Sequence, residues 1–204
     1  MRNPAGPGGE QYFSRQPTSE RRPKRIAAEL RGERFAFLTD AGVFSPDRID
    51  RGTTLLIQHM ELPERGRILD WGAGYGPIGL VAARLRPKCH VVLAEINERA
   101  VELLRDNVKL NRVSNTYVLA GDAFDYMPDL TFDVILTNPP LRAGKQTVFR
   151  LIEECARSLR PGGSFWLVGQ RKQGVLSIAR KMAECFAQVE TVAKKAGYRV
   201  LRGA

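Results

Sequence analysis

Ile68-Leu69-Asp70-Trp71-Gly72-Ala73-Gly74-Tyr75-Gly76-Pro77-Ile78-Gly79 runs from an apolar segment into a cluster of glycines and out into a second apolar segment. It reads as a strand joined to a helix by a tight loop. Glycine permits sharp backbone turns and lets a ligand approach the chain closely. Outward from this stretch the pattern is regular. Strands are expected at about 67–71, 90–95, 116–120, 132–137 and 163–169, alternating with helices at about 77–86, 97–111, 146–159 and 174–184. Such alternation builds βαβ units with right-handed crossovers, hence a parallel sheet covered on both faces. The chain's end departs from it: residues 189–193 and 198–201, joined by Lys194-Lys195-Ala196-Gly197, read as an antiparallel hairpin.

Upstream, residues 25–30 and 34–38 flank Arg31-Gly32-Glu33 and alternate apolar with polar, an N-terminal β-hairpin. A loop over 40–46 leads to a helix expected over 51–61. Residues 1–11, rich in Gly and Pro, are expected to be poorly ordered. No internal repeat or second domain is visible. The 204 residues suit one α/β domain, and no stretch approaches the roughly 18 apolar residues of a membrane span. No apolar signal segment stands at the N-terminus. Cys89, Cys155 and Cys185 are isolated and odd in number, as for packed thiols of a cytosolic protein. With His59 and His90 the sole histidines, a histidine-rich metal site is not expected. A formal charge of +10 favours polyanionic partners through counterion release.

Three acids fall at or just after consecutive strand ends: Asp70, Glu95 and Asp122. One acid there is usually a turn former or helix cap; three in register with a glycine loop point to a ligand. Gly74-Tyr75-Gly76-Pro77-Ile78-Gly79 formally satisfies the dinucleotide pattern, so a nicotinamide cofactor is one reading. Asp70 argues against it, because a pyrophosphate would be repelled there and a cationic ligand attracted. Glu95 can accept both ribose hydroxyls, and Asp122 an adenine amine while the Ala123 N–H meets a ring nitrogen. After the fourth strand of the regular series comes Thr137-Asn138-Pro139-Pro140-Leu141-Arg142. Two prolines fix φ twice and remove two donors, leaving carbonyl oxygens and one carboxamide to grip the N–H groups of a planar amine. Basic residues follow strands at Arg142 and Lys145 and at Arg171 and Lys172, the candidates for phosphate contacts. Trp71 reads as a core filler in preference to a pocket wall.

These residues together resemble the class I S-adenosylmethionine-dependent methyltransferases of the "methyltransferase small" group, and among them the ribosomal small-subunit RNA guanine-N2 methyltransferases. The match is carried by Thr39-Asp-Ala-Gly-Val-Phe-Ser45, the glycine loop, Asn97-Glu-Arg-Ala-Val101, Leu136-Thr-Asn-Pro-Pro-Leu-Arg-Ala-Gly-Lys145 and Gly197-Tyr-Arg-Val-Leu-Arg202. Tyr12-Phe13-Ser14 resembles an N-terminal element of the short, single-domain bacterial members. The resemblance implies a Rossmann-like fold with a seven-stranded, mostly parallel sheet ending in an antiparallel hairpin. It implies an N-terminal extension over 12–50, a methyltransferase domain over 51–204, and a cytoplasmic enzyme. Asp70, Gly72 and Gly74 would line the methionine end of S-adenosylmethionine, with Thr53 near its carboxylate. Glu95 would hold the ribose and Asp122 the adenine. Asn138, Pro139 and Pro140 would present the reacting amine, and ribosomal RNA or the small ribosomal subunit would be the partner. Two departures stand out. Larger members carry a second, degenerate domain that this chain has no room for, and the position after Asn-Pro-Pro, often an aromatic that stacks on the base, is Leu141 here. Asn-Pro-Pro loops also serve enzymes acting on adenine N6 or on a protein glutamine amide, so those acceptors remain open at this point.

Overall fold

The structure, a computed structural model, describes residues 15–204, apart from the side chain of Arg142. The expectations for residues 1–11 and for Tyr12-Phe13-Ser14 lie outside the described residues. The chain runs through β1 (Lys24–Leu30), β2 (Glu33–Thr39), α1 (Arg51–His59), β3 (Gly66–Trp71), α2 (Pro77–Leu85), β4 (Cys89–Glu95) and α3 (Glu98–Leu110). It continues with β5 (Thr116–Ala120), α4 (Ala123–Tyr126), β6 (Phe132–Thr137), α5 (Lys145–Ser158), β7 (Leu159–Gln170), α6 (Val175–Cys185), β8 (Val189–Lys195) and β9 (Tyr198–Gly203). The seven-stranded sheet has the order β5-β4-β3-β6-β7-β9-β8. Its β3, β4, β5, β6 and β7 are parallel, and β9 pairs antiparallel with both β7 and β8. This is the class I methyltransferase arrangement, as expected from the alternation and its closing hairpin.

Two apolar layers flank the sheet, because successive side chains of a strand point to opposite faces. Along β3, Ile68 belongs to the layer shared with α1, α2 and α3, and Leu69 to the layer shared with α5 and α6. Strand β7 starts earlier than expected. Phe132 pairs with Leu159 and Val134 with Ser164, so Arg160 to Gly163 loop out and the regular ladder begins at Ser164. Helix α4 is a single turn started by the Asp122 cap, too short to leave a periodic signature.

The β1–β2 hairpin forms its own two-stranded sheet. Arg31 and Gly32 at its tip both take positive φ, 52° and 81°, as a type I′ turn demands. One edge of β2 is closed by side chains. Asn107 Oδ1 accepts the Leu38 N–H (2.6 Å) and its Nδ2 donates to the Leu38 carbonyl (2.9 Å). Asn111 repeats this with Ala36, at 3.1 and 2.8 Å. Residues four apart share a helix face and alternate strand residues share an edge, so two carboxamides on α3 imitate a neighbouring strand. Asn107 Nδ2 also donates to the Tyr75 carbonyl (2.8 Å), which ties the hairpin to the glycine loop.

Asn107 is fully buried, and removing its side chain orphans backbone groups at about 1–3 kcal/mol each. Asn107→Ala is expected to lower the free energy of unfolding by about 3 kcal/mol or more in urea titration; a midpoint equal to that of the wild type would contradict the pairing.

Candidate active site

The sheet's order turns at β3, which pairs with β4 on one side and β6 on the other. A ligand crevice forms outside the carboxyl ends of strands at such a switch point. Here the glycine loop leaves β3. Gly72, Gly74 and Gly76 take φ of 73°, 58° and 105°, positions that strain any residue with a Cβ. The N–H groups of Gly72 and Ala73 both donate to the Ala94 carbonyl, at 2.9 and 3.0 Å, holding the loop against β4. A cavity of about 280 Å³ opens at this point. Its walls include Phe44, Trp71, Tyr75, Ile78 and Ile96 with the backbone of the loop, and its ionisable lining is Asp50, Glu95, Asp122 and Tyr75.

Glu95 ends β4, and its side chain folds back on the backbone. Oε2 accepts the Gly74 N–H (2.7 Å) and Oε1 the Asn97 N–H (2.8 Å). Burial raises its pKa, and the N–H groups of Asn97, Gly74 and Ile96 oppose that rise. With three N–H groups shared between its two oxygens, the carboxylate keeps acceptor capacity for a ligand hydroxyl. Asp122 caps α4 by accepting the Phe124 N–H (3.1 Å) and also takes the indole N–H of Trp71 (3.2 Å). Trp71 is therefore a pocket wall that steadies an acid, a correction to its reading as filler. Ala123 is buried behind Asp122 and off the cavity surface.

Asp70 is placed differently from expectation. Its side chain lies beneath the glycine loop against α2, outside the cavity lining, where it is completely buried and accepts the Gly79 N–H (2.7 Å) through Oδ2. A methyl group at Gly79 would lie 2.0 Å from Leu93 Cδ2 and 2.8 Å from Asp70 Oδ2, so only glycine fits. Asp70 thus holds the loop and the first turn of α2 from below rather than lining the cofactor's methionine end. Its Oδ1 has no partner among the described residues, and burial pushes the group up to about 7, opposed by the Gly79 N–H and helped by the Glu95 charge.

Across the cavity stands Asn138, after β6. Its Nδ2 donates to Thr53 Oγ1 (2.9 Å) and lies 3.3 Å from Asp50 Oδ2. That leaves the carboxamide oxygen as the side chain's remaining hydrogen-bonding atom. Asp50, not singled out from the sequence, organises this corner. Its Oδ2 accepts the N–H groups of Gly52 and Thr53 (2.7 and 3.1 Å) as the cap of α1, and its Oδ1 accepts the Tyr198 hydroxyl (2.9 Å). An acid just before a helix is a legible cap, but nothing in the sequence announced its tie to Asn138. Pro140 lines the cavity, and the buried Pro139 offers its carbonyl to the Leu141 N–H (2.8 Å).

The expected substrate contacts divide. Leu141 is off the cavity and packs toward β7, within about 3.1 Å of where a Gly169 Cβ would stand, so it does not cover a base in this arrangement. Lys145 lies over the Phe149 ring at 5.1 Å. The Arg142 side chain falls outside the described part, while Arg171 and Lys172 line a second cleft.

The acidic lining fits a cationic cofactor, because among the described residues no Lys or Arg lines the cavity and a pyrophosphate would face three carboxylates. This removes the support for a nicotinamide dinucleotide. Thr53 also lines the cavity, but its N–H and that of Gly52 are already taken by Asp50.

The Asp70 titration has a checkable consequence. Between roughly pH 4 and 7 the folded chain holds a proton that the unfolded carboxyl has released, so folding loses stability as pH rises through that window. The stability of wild type relative to Asp70→Asn should therefore be greater at pH 5 than at pH 8 in denaturant titrations. A difference independent of pH would refute it.

Residues 34–202 match the model of the methyltransferase small domain. An uncharacterized Bacillus subtilis protein, YbxB, is 40% identical over 195 residues, covering 95% of this chain and 97% of its own length. Ribosomal RNA large subunit methyltransferase G of Streptomyces avermitilis is 32% identical over 167 residues, 79% of this chain and 43% of that protein. The structure of a T. thermophilus 16S rRNA N2 methyltransferase in complex with AdoMet and guanosine superposes with a TM-score of 0.79 at 29% identity, covering 89% of this chain and 50% of the other. The chain thus spans half or less of these two RNA methyltransferases. It belongs to the methyltransferase small domain family, with S-adenosylmethionine as its cofactor.

Proposed function

We propose that this chain methylates the exocyclic N2 amine of a guanine in ribosomal RNA, with the 16S molecule as substrate. The observation that carries the reading is the fixed carboxamide of Asn138. With its Nδ2 spent on Thr53 and Asp50, its oxygen is held as an acceptor on the cavity wall. The cofactor, when bound, supplies a methyl group on a positively charged sulfur. An aryl amine is a poor nucleophile because its lone pair is delocalised into the ring. Acceptance of its N–H groups by Asn138 Oδ1 and the Pro139 carbonyl localises that lone pair and directs it into the cavity. The Pro139 oxygen keeps one lone pair free after taking the Leu141 N–H. The same acceptors stabilise positive charge growing on nitrogen in the transition state, and the two prolines hold them without reorganisation. The product amine sheds its proton afterwards, so no histidine base is needed. A stacked guanine must swing out, or be unpaired already, to enter.

Nucleic acid as the acceptor is supported by the +10 charge and by the RNA methyltransferases among the relatives. Guanine N2 of 16S RNA is supported by the T. thermophilus likeness. The Streptomyces relative is named for the large subunit, so the test must read both ribosomal RNAs.

Asn138→Ala is expected to reduce turnover to below a tenth of wild type while leaving cofactor affinity nearly unchanged by calorimetry; greater residual activity would remove Asn138 from the reaction. Mass-spectrometric nucleoside mapping of ribosomal RNA from cells lacking the protein should show loss of one N2-methylguanosine in the small-subunit RNA. Loss of a different methylated nucleoside, or of one in the large-subunit RNA, would redirect the acceptor.

A further inference from the structure

Beside the acidic cavity lies a second cleft of about 830 Å³, lined by Ser45, Arg48, Arg51, Arg171, Lys172 and Tyr198 among others. It shares one wall with the cofactor cavity, the Asp50 carboxylate. Three separate segments build it: the loop and first turn of α1, the turn after β7, and the β8–β9 turn at Ala196-Gly197. The turns are locked together, since the Arg171 N–H donates to the Gly197 carbonyl (2.9 Å). Arg48, Arg51, Arg171 and Lys172 are all exposed, and among the described residues none of the four makes an ion pair. Asp50 forms no ion pair with them, since its oxygens already meet two helix N–H groups, a carboxamide and a phenol. Four cations stand beside a cavity whose charged lining, among the described residues, is acidic, a reversal of charge across one side chain.

We infer that this cleft holds the sugar-phosphate backbone flanking the methylated nucleotide, with Arg48, Arg51, Arg171 and Lys172 on its phosphates. The inference rests on the RNA-methylating reading above and adds where the strand runs. A base reaching Asn138 brings its own backbone to within one nucleotide of the site, and the acid-lined cavity repels that backbone toward the neighbouring cations. Lys145, held over Phe149 on the other side of the Asn-Pro-Pro loop, takes no part. Only Arg171 and Lys172 were expected from the sequence. Arg48 and Arg51 join them through the fold.

The test compares two double variants of the full chain that remove equal charge. Arg171→Gln with Lys172→Gln empties half the cleft. Arg25→Gln with Arg112→Gln alters an exposed pair in a basic hollow near the C-terminal end of α3, which lies at the edge of the sheet opposite the active site. Filter binding of an unstructured single-stranded RNA is followed between about 50 and 200 mM salt. The cleft pair should weaken binding about tenfold and lower the slope of log affinity against log salt by about 1.4, near 0.7 for each phosphate contact. The control pair should change both by less than half as much. Unchanged cofactor titrations establish that both variants are folded. Equal losses in the two pairs would overturn the cleft as a site while leaving RNA as the substrate. Failure of the wild-type protein to bind RNA at all would overturn the cleft and the RNA reading together.

Discussion

One carboxylate holds the active corner together. Asp50 ends a loop, starts α1, steadies the amide of Asn138 and receives the hydroxyl of Tyr198 from the last strand. Elements separated by 148 residues therefore meet on two oxygen atoms. Hydrogen bonds to a charged acceptor are stronger than neutral ones, and here they serve placement. In the proposed reaction, an amide free to flip would present its NH2 to the incoming amine and oppose the transfer. With Nδ2 committed to Thr53 and Asp50, the oxygen is left as the acceptor. Tyr198, whose pKa is raised first by burial and then by this bond, remains a donor across the physiological range.

The distribution of charge follows the same economy. In a chain of net charge +10, no basic side chain among the described residues lines the cofactor cavity, and three carboxylates do. That contrast suits a cationic cofactor and a polyanionic partner meeting at one place without mutual interference. Asp70 is the case where a charge was taken out of water to build the loop. Its unpartnered oxygen and raised pKa show a carboxyl sitting where the neutral form is preferred, while its other oxygen fastens the first turn of α2.

Most of the fold was legible because it rests on local signals. Alternating strands and helices, the glycine loop and the closing hairpin all stand in the sequence, and the sheet order follows from short right-handed connections. The corner of Asn138, Glu95 and Asp122 was legible too, since strand ends must converge in a parallel sheet. What escaped the reading depends on which way a side chain points or on contacts between distant segments. Asp70 was assigned to the cavity, yet its side chain is buried beneath the glycine loop against α2 and is absent from the cavity lining. Leu141 was assigned to the base, yet it packs toward β7. Trp71 looked like filler because an indole's role depends on whether its N–H has an acid to meet, and Asp122 lies 51 residues away. Asp50 looked like an ordinary cap for the same reason.

The carboxamides of α3 have a further consequence. Asn107 joins Leu38 of the hairpin to Tyr75 of the cavity wall, and Asn97, at the helix's other end, reaches Gly42 in the loop that carries Phe44. The N-terminal sheet, none of whose residues lines the cavity, thus shares a helix with the cavity wall at two points, and its Phe37 packs edge-on against Tyr75. A ligand held by the cavity wall in this arrangement therefore stabilises the hairpin by linkage, so occupancy of the cavity and protection of a distant sheet rise together.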